Sequence, residues 1–313
     1  MEEYEMRRWL CIHVVLLSCF GVPNANATIQ SLIYWTDSSS DTIYCANMDG
    51  TGIKELLTLN GGYTNPCFLA IDPVDNKMYW TNNAIRRVQR ANLDGSALET
   101  VSGYTTSPEG IALDIESRKI YWADYGGNKI HRSNLDGSSR EDIVTTGLSA
   151  PVGIALDTAS GKLYWTEQAG KVIRRANLDG SEVENLVTTD LSWPRGIALD
   201  VEGGKMYWTD SGFMEHTIKR ANLDGSSIEV LLERPSVYRP NSIVLDLVRD
   251  KMYWTDFEYG RICRANLDGS ELEALITGLD VPYGIAIGPV PEPATILLLG
   301  VGGLGLLRTR RAA

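Results

Sequence analysis

Residues 153–180 read GIALDTASGKLYWTEQAGKVIRRANLDG, and this stretch decides the fold. Gly153 to Asp157 is continuously apolar before its closing acid, as a strand buried on both faces requires. Tyr164-Trp165-Thr166-Glu167 is a second strand rich in aromatic and β-branched residues. A third strand follows and ends in Asn177-Leu178-Asp179-Gly180, where Asp-Gly marks a tight hairpin. The run after Asp-Gly supplies a fourth strand, as in Ile228 to Leu232. These strands are lettered a to d.

The same text recurs along the chain. Tyr-Trp begins at Tyr34, Tyr79, Tyr121, Tyr164, Tyr207 and Tyr253, at spacings of 45, 42, 43, 43 and 46. Asn-Leu-Asp-Gly recurs at Asn92, Asn134, Asn177, Asn222 and Asn266, with Asn47-Met48-Asp49-Gly50 as its first copy. A period near 43 with four strands indicates propeller blades. Ser31-Leu32-Ile33 precedes Tyr34 without a strand a, and Pro282 to Ile287 is a strand a without followers. The sequence therefore predicts an all-β, six-bladed β-propeller with one blade closed by three N-terminal strands and one C-terminal strand. Of eight Trp, Trp35, Trp80, Trp122, Trp165, Trp208 and Trp254 belong to the repeat, so only Trp9 and Trp193 stand outside it.

These motifs resemble the YWTD repeat, also called the low-density-lipoprotein-receptor class B repeat, from Leu32 to about Gly288. The resemblance implies a six-bladed propeller of the extracellular kind that binds other proteins or folds against neighbouring domains. No epidermal-growth-factor-like or cysteine-rich module flanks the repeats here, so the ligands of the animal receptors are not carried over.

The two ends read as sorting signals. Arg7 and Arg8, the apolar stretch Trp9 to Val22 and the small residues of Ala25-Asn26-Ala27 make residues 1–27 a signal peptide. Met6 is an alternative start, and Cys19 an alternative site for lipidation. At the other end, Pro291-Glu292-Pro293 precedes a 14-residue apolar run (294 to 307) and then Arg308, Arg310 and Arg311. That run is shorter than a comfortable membrane span. The order resembles the PEP-CTERM sorting signal of bacteria. It implies an exported, surface-destined protein held transiently in the inner membrane until an exosortase-type enzyme processes it. The organisation expected is a signal peptide over 1–27, the propeller over 28–290 and the sorting signal over 291–313.

A net charge of −11 disfavours phosphate backbones, so nucleic acid is not an expected partner. Cys45, Cys67 and Cys263 are expected as buried thiols. No Gly-x-Ser-x-Gly, phosphate loop or Cys-x-x-Cys occurs. A b–c hairpin centred near Tyr259 would set Trp254 opposite Arg264 and Asp256 opposite Ile262. That predicts a Trp–Arg stack and a diagonal acid–Arg pair within each blade: Asp124–Arg132, Glu167–Arg175, Asp256–Arg264 and, with two extra residues, Asp210–Arg220. The acids closing strand a (Asp72, Asp114, Asp157, Asp200 and Asp246) read as strand-end devices. A channel metal held by them is the alternative.

The b–c turns and the d-to-a connections share one end of the ring, and that end varies from blade to blade. Its connections hold Tyr63, Tyr104, Glu109, Trp193, Arg195, Tyr238, Arg239, Asn241 and Tyr283, and its turns hold Tyr125, Phe213, His216, Phe257 and Tyr259. The Phe213-Met214 extension with His216 reads as an exposed contact loop. Aromatic and Arg enrichment marks a protein- or glycan-contact surface, with plugging of the channel as the bland alternative. The function expected is a non-catalytic binding module without cofactor. The alternatives are a propeller hydrolase or lyase with channel carboxylates, and a structural matrix protein.

Overall fold

The computed structural model describes residues 30–59, 64–103, 105–213 and 215–291. The expectations for the leader, for Tyr63, Tyr104 and Met214, and for the tail beyond Pro291 lie outside these residues. The described residues form six four-stranded antiparallel sheets. The first blade comprises β1 (Ser31–Asp37), β2 (Thr42–Asn47) and β3 (Lys54–Thr58), closed by β24 (Pro282–Pro289) against β1. The second holds β4 (Pro66–Asp72), β5 (Lys77–Asn82), β6 (Arg87–Asn92) and β7 (Glu99–Gly103). The third holds β8 (Pro108–Asp114), β9 (Lys119–Asp124), β10 (Lys129–Asn134) and β11 (Glu141–Val144). The fourth holds β12 (Pro151–Asp157), β13 (Lys162–Glu167), β14 (Val172–Asn177) and β15 (Glu184–Val187). The fifth holds β16 (Pro194–Asp200), β17 (Lys205–Ser211), β18 (His216–Asn222) and β19 (Glu229–Glu233). The sixth holds β20 (Pro240–Asp246), β21 (Lys251–Asp256), β22 (Arg261–Asn266) and β23 (Glu273–Thr277). The predicted fold and its closure are both present.

The repeated Trp is a wedge between blades. Each of the six core clusters joins the Trp of one blade to the Tyr of the blade before it: Trp80 with Tyr34, Trp122 with Tyr79, and so on to Trp35 with Tyr253. All six Trp are fully buried. Packing an aromatic pair at every seam removes the largest apolar surfaces from water where rigid blades meet.

The expected Trp–Arg stack is overturned. The b–c loop holds four residues, so Asp256 pairs with Arg261, Trp254 with Cys263 and Tyr253 with Arg264. A one-residue offset moves every side chain to the other face. Arg132, Arg220 and Arg264 therefore lie over Tyr121, Tyr207 and Tyr253, at 6.0, 5.8 and 5.8 Å. Their ion pairs run to Glu141, Glu229 and Glu273 on strand d, not to the motif acids. Each also donates to a carbonyl of the next blade: Leu178 (3.0 Å), Leu267 (3.2 Å) and Met48 (2.9 Å). Cys45 stands at the Arg position of the first blade.

The motif acids hold the connections instead. Asp124 accepts from the backbone N–H of Thr106 (2.8 Å), Ser107 (2.7 Å) and Gly127 (3.0 Å), and Asp210 from Ser192 (2.9 Å) and Trp193 (2.6 Å). The residue paired across from the Trp lies beside each acid: His131 at 3.4 Å from Asp124 and Lys219 at 3.5 Å from Asp210. Asp256 pairs with Arg261 at 2.7 Å. Burial works to raise the Asp124 carboxyl, but His131 and the three N–H groups overcome it and hold the group at about 2. A folded-state value below the unfolded one contributes stability above about pH 4, lost as pH falls towards 2, worth about 2 kcal/mol. Urea titrations at pH 7 and pH 2.5 should show that Asp124→Asn loses less stability on acidification than the parent. An equal loss in both would remove Asp124 from the account.

The strand-end acids serve their own a–b turns. Asp72 accepts from Val74 N–H, Asp114 from Ser117, Asp157 from Ser160, Asp200 from Gly203 and Asp246 from Arg249. Cys45, Cys67 and Cys263 are free and buried.

Candidate functional site

Strand a opens with Pro in every blade, and the next residue differs each time: Cys67, Glu109, Val152, Arg195, Asn241 and Tyr283. The Thr of the Tyr-Trp-Thr motif sets these positions. In five blades its hydroxyl donates to the carbonyl of that residue in the following blade, from Thr36 to Cys67 (2.5 Å) through Thr255 to Tyr283 (2.7 Å). The third blade has Ala123 there. Gly at the third position lets the backbones close up. A Cβ on Gly110 would come within 2.2 Å of the Val152 carbonyl oxygen, and one on Gly284 within 2.3 Å of that of Cys67.

Side chains from alternate blades meet across the axis. Tyr283 of the closing blade donates its hydroxyl to Glu109 of the third blade (2.8 Å) and accepts from Arg195 of the fifth. Arg195 lies 3.9 Å from Glu109, donates to Asn241 and Gln168, and stacks over the Tyr283 ring at 5.5 Å. Asn83 donates to the other Glu109 oxygen (3.0 Å), and Asn241 to the Tyr283 carbonyl (3.1 Å). Burial pushes the Glu109 carboxyl up, while Arg195, Tyr283 and Asn83 draw it back. Burial likewise raises the Cys67 thiol. The plug is internally compensated: a buried carboxylate and its guanidinium, with polar neighbours filling their remaining bonds.

Above the plug lies a cavity of about 300 Å³, lined by Trp193, Arg195, Ser211, Arg239, Asn241, Phe257 and Tyr283. Six of the residues singled out from sequence are thus brought together: Trp193, Arg195, Arg239, Asn241, Phe257 and Tyr283. Glu109 belongs to the plug. Tyr238 lies to one side, packed between His216 (4.6 Å) and Tyr259 (5.0 Å). Tyr125 and Phe213 are exposed and outside the lining, Phe213 at 76%. His216 is not an exposed contact. The two extra residues of the fifth repeat add a Ser211–His216 strand pair, which draws the imidazole into the sheet, where it accepts from Arg239 N–H (3.1 Å). Burial and nearby Arg234 and Arg239 lower its pKa.

Cys67, Val152, Asn83, Gln168 and Ser211 escaped the sequence reading of the site. Aligning the repeats on the Pro of strand a would have exposed Cys67 and Val152 as members of one variable column. Among the described residues, no group of three or more His, Cys, Asp or Glu side chains is placed to hold a metal ion.

A profile of the virginiamycin B lyase family matches residues 23–295. The chain belongs to the virginiamycin B lyase family. Within it, this member also carries a PEP-CTERM protein-sorting motif over residues 289–311. Its repeats are similar to those of mouse (Mus musculus) nidogen-2, 36% identical over 67 residues, which is 21% of this chain and 5% of that protein. Mouse low-density lipoprotein receptor-related protein 5 is 34% identical over 68 residues, 22% of this chain and 4% of that protein. The chain therefore matches only a small part of these relatives' length. In the solved nidogen/laminin complex, the match has a TM-score of 0.74 at 26% identity and covers 82% of this chain and 98% of that one. Catalytically inactive virginiamycin B lyase from Staphylococcus aureus, solved with quinupristin, has the same fold. It matches with a TM-score of 0.60 at 20% identity, over 83% of this chain and 90% of that one. The chain is thus a YWTD-type propeller of the kind found in nidogen.

Proposed function

We propose that this family member is a non-catalytic binding module, displayed at the bacterial surface or in its matrix, whose variable end captures a protein or glycan. The observation that carries this is the aromatic cavity seated on a plug whose charges are already compensated. Glu109, in the plug, has both oxygens engaged, and burial keeps the Cys67 thiol protonated. Neither is poised as a general base. Trp193, Phe257 and Tyr283 offer rigid apolar surface of the kind that anchors binding partners. The laminin complex of nidogen favours a protein ligand. The PEP-CTERM motif supports export and an exosortase-type enzyme as a second, transient partner.

Trp193 is 39% exposed, so Trp193→Ala removes contact surface without opening the core. Loss of an aromatic anchor costs about 2 kcal/mol of binding, roughly a thirtyfold fall in affinity. Capture from a solubilised envelope fraction should fall by that order while the urea midpoint stays unchanged. Undiminished capture would move the contact elsewhere, and consumption of quinupristin by the intact ring would overturn the non-catalytic reading.

A further inference from the structure

β24 begins at Pro282 on the variable end and runs to Pro289, which pairs with Ser31 at the start of β1. The ring therefore releases its C-terminal segment at the opposite end, among the a–b turns. Gly288 lies against Ile71, where an added Cβ would come within 2.6 Å of the Ile71 side chain. Ile71 immediately precedes Asp72 and the a–b turn of the second blade. Tyr34 donates its hydroxyl to the Pro289 carbonyl (2.5 Å) and fixes the exit. The apolar run begins at Ala294, five residues on, a span of at most about 18 Å. Pro289 and Pro291 fix φ at two positions at the start of that span.

The surface around the exit carries exposed aliphatic side chains among charged residues of the same turns, Asp75, Arg249 and Asp250. Val248 (90% exposed) and Val74 (68%) are the most exposed large aliphatic side chains among the described residues. They sit in the a–b turns of the sixth and second blades, on either side of the closing blade. Leu247, next to Val248, and Val290, just past β24, are exposed as well. The exposed aromatics Trp193, Phe213 and Tyr259 all belong to the other end. The six Asp of the c–d turns share the exit end but lie on the outer half of each blade, beyond the inner a–b turns. Their carboxylates, with Asp75 and Asp250 in the inner turns, would resist an anionic surface, which leaves neutral lipid as the surface that the aliphatic side chains suit.

We propose that, with the tail seated in a membrane, the ring stands with its a–b turns against the lipid surface and its aromatic cavity turned away. Val74, Leu247 and Val248 make the contact. The inference rests on the reading of the PEP-CTERM tail as a membrane anchor. The anchored intermediate then already offers its binding end to the exterior.

The test uses the chain without its leader, residues 28–313, reconstituted into phosphatidylcholine vesicles carrying a headgroup-bound acceptor dye. A donor dye is attached at Val248→Cys or at Phe213→Cys. Cys45, Cys67 and Cys263 are buried and leave the introduced thiol as the reactive one. The two positions lie at opposite ends of strands six or seven residues long, about 20 Å of rise apart. Transfer from position 248 should exceed that from position 213 severalfold. Equal or reversed transfer in chains that float with the vesicles overturns the orientation while leaving the anchor intact. Failure to float overturns the anchor reading and the proposal with it. Flotation of a ring lacking residues 291–313 would show that the tail is not what holds it, and overturns the tethered geometry.

Discussion

Replacing Glu109 by Ala is expected to destabilise the ring by about 3 kcal/mol, because it leaves the Arg195 guanidinium without its counter-charge in the channel. The loss is expected although Arg195 keeps Asn241 and Gln168 as acceptors. Those amides satisfy hydrogen bonds but offset no charge. Tyr283 would lose its acceptor at the same time. The paired change Glu109→Met with Arg195→Met should recover most of the stability, since it replaces a buried ion pair with apolar volume. Urea titration of the single and double variants measures both. A double variant no more stable than Glu109→Ala would mean that the geometry of the plug, rather than its charge balance, carries the effect. Capture through the aromatic cavity should fall in the double variant even when folded, because Arg195 forms part of the cavity wall.

Gly153→Ala is expected to be at least as damaging. Its new Cβ would come within 2.1 Å of the Arg195 carbonyl oxygen, which Thr166 of the same blade holds at 2.5 Å. Relief requires moving one innermost strand against another, and overpacking of this kind costs about 3 kcal/mol or more. Gly161 makes the control. It has a φ of +66° but nothing within 4 Å of a Cβ. Gly161→Ala should therefore cost only the left-handed backbone penalty, about 1 kcal/mol. Calorimetry on the two variants separates crowding at the channel wall from ordinary turn strain. Equal losses would remove the close approach of the strands from the explanation.

Blade number, ring closure and the positions of the Asp-Gly hairpins were legible because period and turn chemistry are local properties of the chain. The fate of the motif Arg residues was not. It hangs on whether the loop after Asp256 holds four or five residues, and one residue decides between Trp254 and Tyr253 as the neighbour of Arg264. Trp193 and Tyr283 were legible as departures from the repeat. Asn83 and Gln168 were not, because a turn residue reaches the axis only through the path of its loop. His216 shows the same limit: its burial follows from one added strand pair that composition does not announce.

The closure of the first blade also bears on when the protein can finish folding. Its last hydrogen bond, from Tyr34 to Pro289, joins residues 255 positions apart. Until β24 arrives, the first blade is three strands with an open inner edge, and Trp35 lacks Ile285, one of its partners in the seam. Contacts of such sequence separation form late. A chain threaded across a membrane from its N-terminus would keep this edge open through most of its passage. It could seal the ring only as the segment next to the tail emerges, so the sorting signal would arrive with the strand that completes the fold.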